Sequence, residues 1–273
     1  MTMVTRLRFV FAHYGELIAN LAVKNLKVQY KHAALGFLWS LFMPLALMLV
    51  FWFIFGFLFR RSVGPLFLIC ALFPWTFIQM SIAAATTSIV DSRDIIRKVY
   101  FPREIIPFSI VASNCFNFVI ALLIIVIGVV VKRIWAGETG MITISYLSLP
   151  LLLGLTVMLA AGVGLLTSCG QVYFRDVRYL VEIGLLIWFY FSPVFYPISM
   201  VKQYSNTVFL IYMLNPVAAL ITLYRGVFQV GDPFSAYISP SYLIGTTTAV
   251  ILLIFIVGYR LFIWKEREFV DLV

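Results

Sequence analysis

Few residues in this 273-residue chain have the types and spacing that chemistry requires. Glu182 stands near one end of an apolar run, and an ionisable group in such a place is a functional candidate by default. Arg178 precedes it by one helical turn, so an interfacial ion pair and a proton-coupling carboxylate are both open readings. His13 and His32 are too isolated to suggest metal chemistry. Cys70, Cys115 and Cys169 all fall inside apolar runs without CxxC spacing, so they read as packing residues and imply neither a disulfide framework nor a metal site. The phosphate loop GxxxxGK[ST], the HExxH pair and the GxSxG elbow are absent from the sequence. The chain therefore has no such device to cradle a nucleotide. The expectation is a protein that is not an enzyme, with no catalytic residue, metal or cofactor of its own.

The remaining candidates are surfaces. Trp39, Phe42, Phe53 and Phe57 fall within about 60° on a helical wheel, with Phe51, Trp52, Phe55 and Phe59 roughly opposite. An aromatic face stacks on sugar rings by dispersion without gripping any one of them, which suits a polymer that must slide. Ordinary lipid and helix packing is the competing account. Ala160, Gly164 and Ser168 form a small-xxx-small stripe that permits close helix approach, within one chain or between two.

The elements that position these residues follow from composition. The chain is 63% hydrophobic, 17% aromatic and 11% charged, against about 45–50% apolar and about 25% charged in an ordinary soluble domain. A soluble core of this size has too thin a polar coat to hide so much apolar surface. The class is an all-α integral membrane protein of one transmembrane domain, 1–273, and its +9 net charge is read as topology and not as nucleic-acid binding. Runs at 35–59, 66–90, 108–131, 147–172 and 242–263 have the length of a span, and 180–195 is a shorter sixth. No cleavable signal is expected, because Phe9–Ala12 after Arg6 and Arg8 is shorter than an h-region. The first span is expected to act as its own insertion signal.

Residues 196–240 contain two apolar stretches broken at Asn215-Pro216, where a proline after a polar residue favours a break. Basic residues decide between six and seven spans. With six, Arg6, Arg8, Lys24, Lys27, Lys31, Arg93, Arg97, Lys98, Arg103, Arg175, Arg178, Arg260, Lys265 and Arg267 fall inside, and only Arg60, Arg61, Lys132, Arg133, Lys202 and Arg225 outside. A seventh span sends Arg260, Lys265 and Arg267 outward and weakens the bias. Both termini are therefore expected in the cytoplasm, with a re-entrant helical hairpin dipping in from the outer face before the last span.

Two segments on the expected inner side are amphipathic. In 8–34, Glu16, Asn20, Lys24, Lys27 and Lys31 recur at helical spacing on one stripe, away from Leu17, Ile18, Leu21 and Ala22. This predicts an interface helix, serving as a lipid-headgroup anchor or as a collar that also touches a cytoplasmic partner. In the loop 91–104, Asp94 is expected to cap a short helix reaching Tyr100, stopped by Pro102. Ile95, Ile96 and Val99 share one side, flanked by Arg97 and Lys98. Such a helix anchors in lipid or fits a groove on a soluble partner.

The order of motifs carries a resemblance. The amphipathic helix runs into Tyr30-Lys-His-Ala-Ala-Leu-Gly-Phe-Leu-Trp-Ser-Leu-Phe-Met-Pro44, and the second span into Arg97-Lys-Val-Tyr-Phe-Pro-Arg-Glu-Ile-Ile-Pro107. Then come Tyr173-Phe-Arg-Asp-Val-Arg-Tyr179, Phe191-Ser-Pro-Val-Phe-Tyr-Pro197 and Leu214-Asn-Pro216. Over essentially its whole length the chain resembles the membrane (permease) subunit of ABC exporters that move O-antigen, capsule or teichoic acid polysaccharides across the cytoplasmic (inner) membrane. The resemblance implies a homodimer with two copies of an ATP-binding subunit, which carry the ATP and magnesium. It implies that Asp94, Ile95, Ile96, Arg97, Lys98, Val99 and Tyr100, with Lys24, Lys27 and Lys31, meet that subunit. Leu35 and Gly36 become the entrance, and Asn215 and Pro216 the outer gate. Trp39, Phe42, Phe53, Phe57, Trp188, Tyr190, Phe191, Phe195 and Tyr196 become channel lining for a lipid-linked glycan. The motifs are more similar to O-antigen-type permeases than to teichoic acid ones. Arg97, Lys98 and Arg103 are further expected near the diphosphate of the incoming substrate. The rivals are a membrane enzyme for lipid-linked sugars, with Glu182 and the inner arginines as its site, and an ion-coupled carrier. The first needs clustered acids or histidines at one depth and the second inverted repeats, and neither pattern is visible.

Overall fold

A computed structural model describes residues 3–31, 36, 38–58, 64–99, 101–137, 144–231 and 234–269. Among them there is no strand. In a solvent that cannot pair with backbone groups, helices satisfy every N–H and C=O internally, and this apolar chain has become helical accordingly. The elements are α1 (Met3–Tyr30), α2 (Leu38–Phe51), α3 (Pro65–Asp91), α4 (Arg93–Lys98), α5 (Ile105–Trp135), α6 (Leu149–Tyr173), α7 (Val177–Tyr190), α8 (Ser199–Tyr204), α9 (Asn206–Tyr212), α10 (Pro216–Phe228) and α11 (Pro240–Lys265). The second helix continues as a π-helix over Trp52–Leu58.

Five stretches are long and apolar enough to cross a membrane: Leu38–Leu58, Pro65–Asp91, Ile105–Trp135, Ser145–Tyr173 and Pro240–Glu268. The short α7 has only 14 residues, about 21 Å, less than a hydrocarbon core of about 30 Å. Its path nevertheless matches nearly the whole of α3. Arg178 shares a pocket with Asp91 at the end of α3, and Arg225 bonds both Phe67 O, at the α3 start, and Pro193 O. The non-helical turn at 191–197 thus completes the path along α3 that α7 begins. The run expected as a helix at 180–195 is helical only to Tyr190, because Pro193 and Pro197 cannot donate to a continuing ladder.

Both α6 and α11 run in one direction. Tyr173 at the end of α6 donates to Glu268 at the end of α11, and Gly162 faces Gly258, where an added Cβ would come within 2.2 Å of the Gly162 carbonyl oxygen. The chain between them therefore has to cross back once. The α7 segment does this, and α9 and α10, bent by 96° at Asn215-Pro216, return to the end they left. Arg133, at the end of α5, donates to Gln229 just past α10 at 2.7 Å. The bent pair thus starts and finishes at the same end of the bundle.

Packing centres on α3, which touches α2, α5, α6, α7 and α10. The small-residue stripe serves contacts within the chain: Ala160 and Ser168 are buried, and a Cβ on Gly164 would come within 2.9 Å of Ala85 Cβ. The two ends of the bundle are called below the Glu104 end and the Phe67 end.

Candidate functional site

At the Glu104 end α1 and α4 present exposed charged residues. There α1 lies against α5 through Val10, Ile18 and Ala22, all buried, while Glu16, Asn20, Lys24, Lys27 and Lys31 are exposed. The helical spacing thus gave the correct free face. Contacts with α5 run from Arg6–Glu104 to Tyr30–Asn117. The helix advances about 20 Å along α5 while running about 36 Å itself, so it slopes across the bundle.

The short α4 projects between α3 and α5. Its N-cap is Ser92 and not Asp94, which sits exposed in the first turn, where its charge suits the helix dipole. Arg97, Lys98 and Val99 are exposed, whereas Ile96 is buried in the core and Ile95 packs against it. The expected common face of Ile95, Ile96 and Val99 is therefore split. The helix ends at Lys98, and Val99 has extended backbone, which takes it out of helical phase. Tyr100 and Leu35 lie outside the described residues, as do Phe59 and His32. Gly36 has φ of +49° with open space around it, the left-handed turn that joins α1 to α2 and that glycine adopts without strain.

Behind α4 is a cluster the sequence did not announce. Glu104 is fully buried. Arg6 Nε donates to it at 2.9 Å and Nη2 at 3.1 Å, and the same Nη2 reaches both carboxylate oxygens of Glu266 at 2.6 Å. Tyr259 Oη donates to Glu104 at 3.4 Å. Burial works against the Arg6 charge, but its bonds to Glu104 and Glu266 outweigh this and hold its pKa above the usual arginine range. Arg103 donates to the Glu266 backbone carbonyl. The cluster ties the start of α1, the start of α5 and the end of α11 into one body. Partners separated by 98 and 260 positions leave no local pattern. The only hint was an acid placed between a proline turn and an apolar run.

The aromatic residues divide by face. Phe51 and Phe55 stack on Phe195 with centroids 5.5 Å away in each case, and Phe51 also meets Phe189. This seals α2 to the α7 segment. Phe195, expected to line a channel, is thus a half-buried seam residue within the chain. Trp39, Phe42, Phe53 and Phe57 are exposed, as are Tyr190 at the end of α7 and Phe191 just beyond it. Phe53 and Phe57 stay stacked through the π-helical turn, 5.5 Å apart.

At the Phe67 end the hairpin is held by two polar hubs. The side chain of Asn215 accepts from Val217 N at 3.1 Å and from Trp188 Nε1 at 2.8 Å, and donates to Phe191 O and Ser192 Oγ. Trp188 is therefore half-buried and bonded to the hairpin tip. Tyr196 pairs with Tyr212 through their hydroxyls at 2.7 Å. The second hub is Arg225, whose guanidinium lies 3.4 Å over the Phe67 ring and donates to the carbonyls of Pro193 and Val194 at 2.6 and 2.7 Å. Glu182, the lone acid of the sequence reading, pairs with Arg178 at 3.1 Å on an exposed surface. Of its two readings, the structure contains the ion pair. Among the described residues no group of three or more His, Cys, Asp or Glu could hold a metal.

These features define a multi-pass, all-α membrane protein with exposed charged faces on α1 and α4 at one end and a bent helical hairpin at the other. Residues 16–229 match the family described as ABC-2 type transporter, and the chain belongs to that family as its membrane-spanning permease component. It is 32% identical to an O-antigen export system permease protein of Myxococcus xanthus, covering 83% of this chain and 85% of that protein. A Klebsiella pneumoniae protein with the same description is 28% identical over 99% of this chain and all of its own length. The polysialic acid transport protein of Escherichia coli is 25% identical over 90% of this chain and 92% of its own.

Proposed function

We propose that this chain forms the membrane conduit of an exporter that moves a lipid-linked polysaccharide, O-antigen-type in the first instance, across the cytoplasmic membrane. The observation that carries the reading is the joint match to O-antigen permeases over nearly full length, together with an exposed aromatic face on α2 and α7. Two copies of the chain work with two ATP-binding subunits, which supply ATP and magnesium. The Glu104 end faces the cytoplasm, and both termini lie there. The exposed surfaces of α4 and α1 receive the stroke of ATP binding, and the Arg6–Glu104–Glu266 cluster passes it as one body to α5 and α11. Trp39, Phe42, Phe53, Phe57, Tyr190 and Phe191 form the sliding wall, with Gly36 near the entrance and the Asn215-Pro216 tip toward the exit. Capsule export by the same architecture is the second reading, favoured by the polysialic acid relatives.

The test is reconstitution with an ATP-binding partner subunit, in vesicles carrying lipid-linked glycan. Glycan should move to the protected side only with ATP and both subunits, and the chain alone should hydrolyse no ATP. Turnover by the purified chain alone would overturn the division of labour.

A further inference from the structure

A small cavity lies inside the bundle between α2, α3 and α5. It measures about 30 Å³, and its polar lining is Ser40 of α2, Thr76 of α3, and Asn114 and Asn117 of α5. Phe77 and Phe118, stacked 4.7 Å apart, also line it. The depth makes this polarity notable. Asn117 lies about 18 Å along α5 from Ile105, and Thr76 about 22 Å along α3 from Asp91. Both sit well within a hydrocarbon core of about 30 Å, where bulk water does not pair with polar groups.

The side chains satisfy only part of this polarity among themselves. Asn117 Nδ2 donates to Tyr30 Oη at 2.7 Å, but its buried Oδ1 meets no donor among the described residues. Turning the amide over would only exchange the need, leaving its N–H groups without an acceptor. Thr76 spends its one hydroxyl hydrogen within its own helix, on the carbonyls of Leu72 and Phe73, so its oxygen is left to accept. A buried amide oxygen without a donor costs more than the immobilisation of one water.

Size and charge select the occupant. A water needs about 10–15 Å³ and about two to four polar partners, so the cavity holds one or two. Among the described residues its lining carries no charged side chain, and a cation there would go unbalanced. We propose that this cavity is a hydration site, in which ordered water donates to Asn117 Oδ1 and Thr76 Oγ1 and reaches Ser40. Water thus joins the first turn of α2 to α3 and α5, just beyond the left-handed turn at Gly36. The inference does not depend on which glycan is exported.

The test is X-ray radiolytic footprinting of the full chain in nanodiscs, where bound water split to hydroxyl radical oxidises the side chains beside it. Phe77 and Phe118 are 5% and 2% exposed and should nevertheless be oxidised in proportion to dose. Asn117→Leu removes the acceptor, fills the space and should reduce that oxidation to background. Thr76→Val keeps the shape, loses the hydroxyl and should lower the oxidation at unchanged helix content. Tyr30→Phe breaks the other Asn117 bond without touching the cavity and should leave the oxidation as it is. Unoxidised rings in the wild type, or oxidation unaltered in both Asn117→Leu and Thr76→Val, overturns the assignment. A rise in Tyr30→Phe overturns it too, because radicals from bulk would then be entering past a loosened α1. A thermal melt raised by sodium chloride over choline chloride in the wild type, and not in Asn117→Leu, overturns it by giving the site to a cation.

Discussion

Replacing Arg6 with Met removes the cation that a fully buried carboxylate depends on. Glu104 has no exposed surface, and after the substitution its remaining side-chain donor among the described residues is the Tyr259 hydroxyl at 3.4 Å, with the Glu266 carboxylate left beside it. Removing one partner of a buried pair costs about 3–5 kcal/mol. The expected loss for this pair is therefore about 3–5 kcal/mol. At about 2–4 °C per kcal/mol for a chain of this size, detergent-solubilised protein should unfold about 10 °C lower in a thermal melt followed by tryptophan fluorescence. The double variant Arg6→Met/Glu104→Gln removes the stranded charge and should recover more than half of that loss, because a neutral amide is cheaper to bury than a carboxylate. A melt of Arg6→Met at the wild-type temperature, or a double variant no better than the single one, would refute the reasoning.

Other expectations follow from single contacts. Gly258→Ala drives a methyl into the Gly162 carbonyl and should cost about 1–3 kcal/mol; Gly245→Ala on the same helix meets open space and should leave the melt unchanged or slightly raised. Asn215→Ala removes the α10 cap and strands the Trp188 indole N–H, so a loss of about 1–3 kcal/mol is expected, with reduced export. Val99→Asp on α4 should leave folding intact and lower glycan-coupled ATP hydrolysis. Ile96→Asp, at a buried position, should lower expression and the melt instead, and equal behaviour of the two would contradict the split of that helix. A cysteine at the exposed position 206 should react with an impermeant maleimide from outside intact cells; labelling only after lysis would reverse the orientation.

Much of the fold was legible because its causes are local. Five spans were visible as apolar runs, since each must satisfy its own backbone and face lipid along its length. The stripe from Glu16 to Lys31 was visible as helical periodicity, and α1 has that free face. Where prediction failed, a neighbour had intervened. The α4 face was misjudged because Val99 leaves the helix and Ile96 turns into a core that no local spacing describes. The stacking of Phe195 on Phe51 and Phe55 was not legible either, because an aromatic in an apolar run looks the same whatever ring it meets.

The sequence by itself determined that the chain is an all-α membrane protein, how its basic residues bias its sides and, through motif order, its family. Only the tertiary structure decided that Glu104 and Glu266 share one arginine and that Gly162 and Gly258 set the distance between α6 and α11. It also decided that α7 stops short and leaves a turn to finish its path along α3. The reason is physical. Hydropathy and helical period act within a few residues, whereas a buried charge or a close backbone approach needs a partner that folding alone brings within reach.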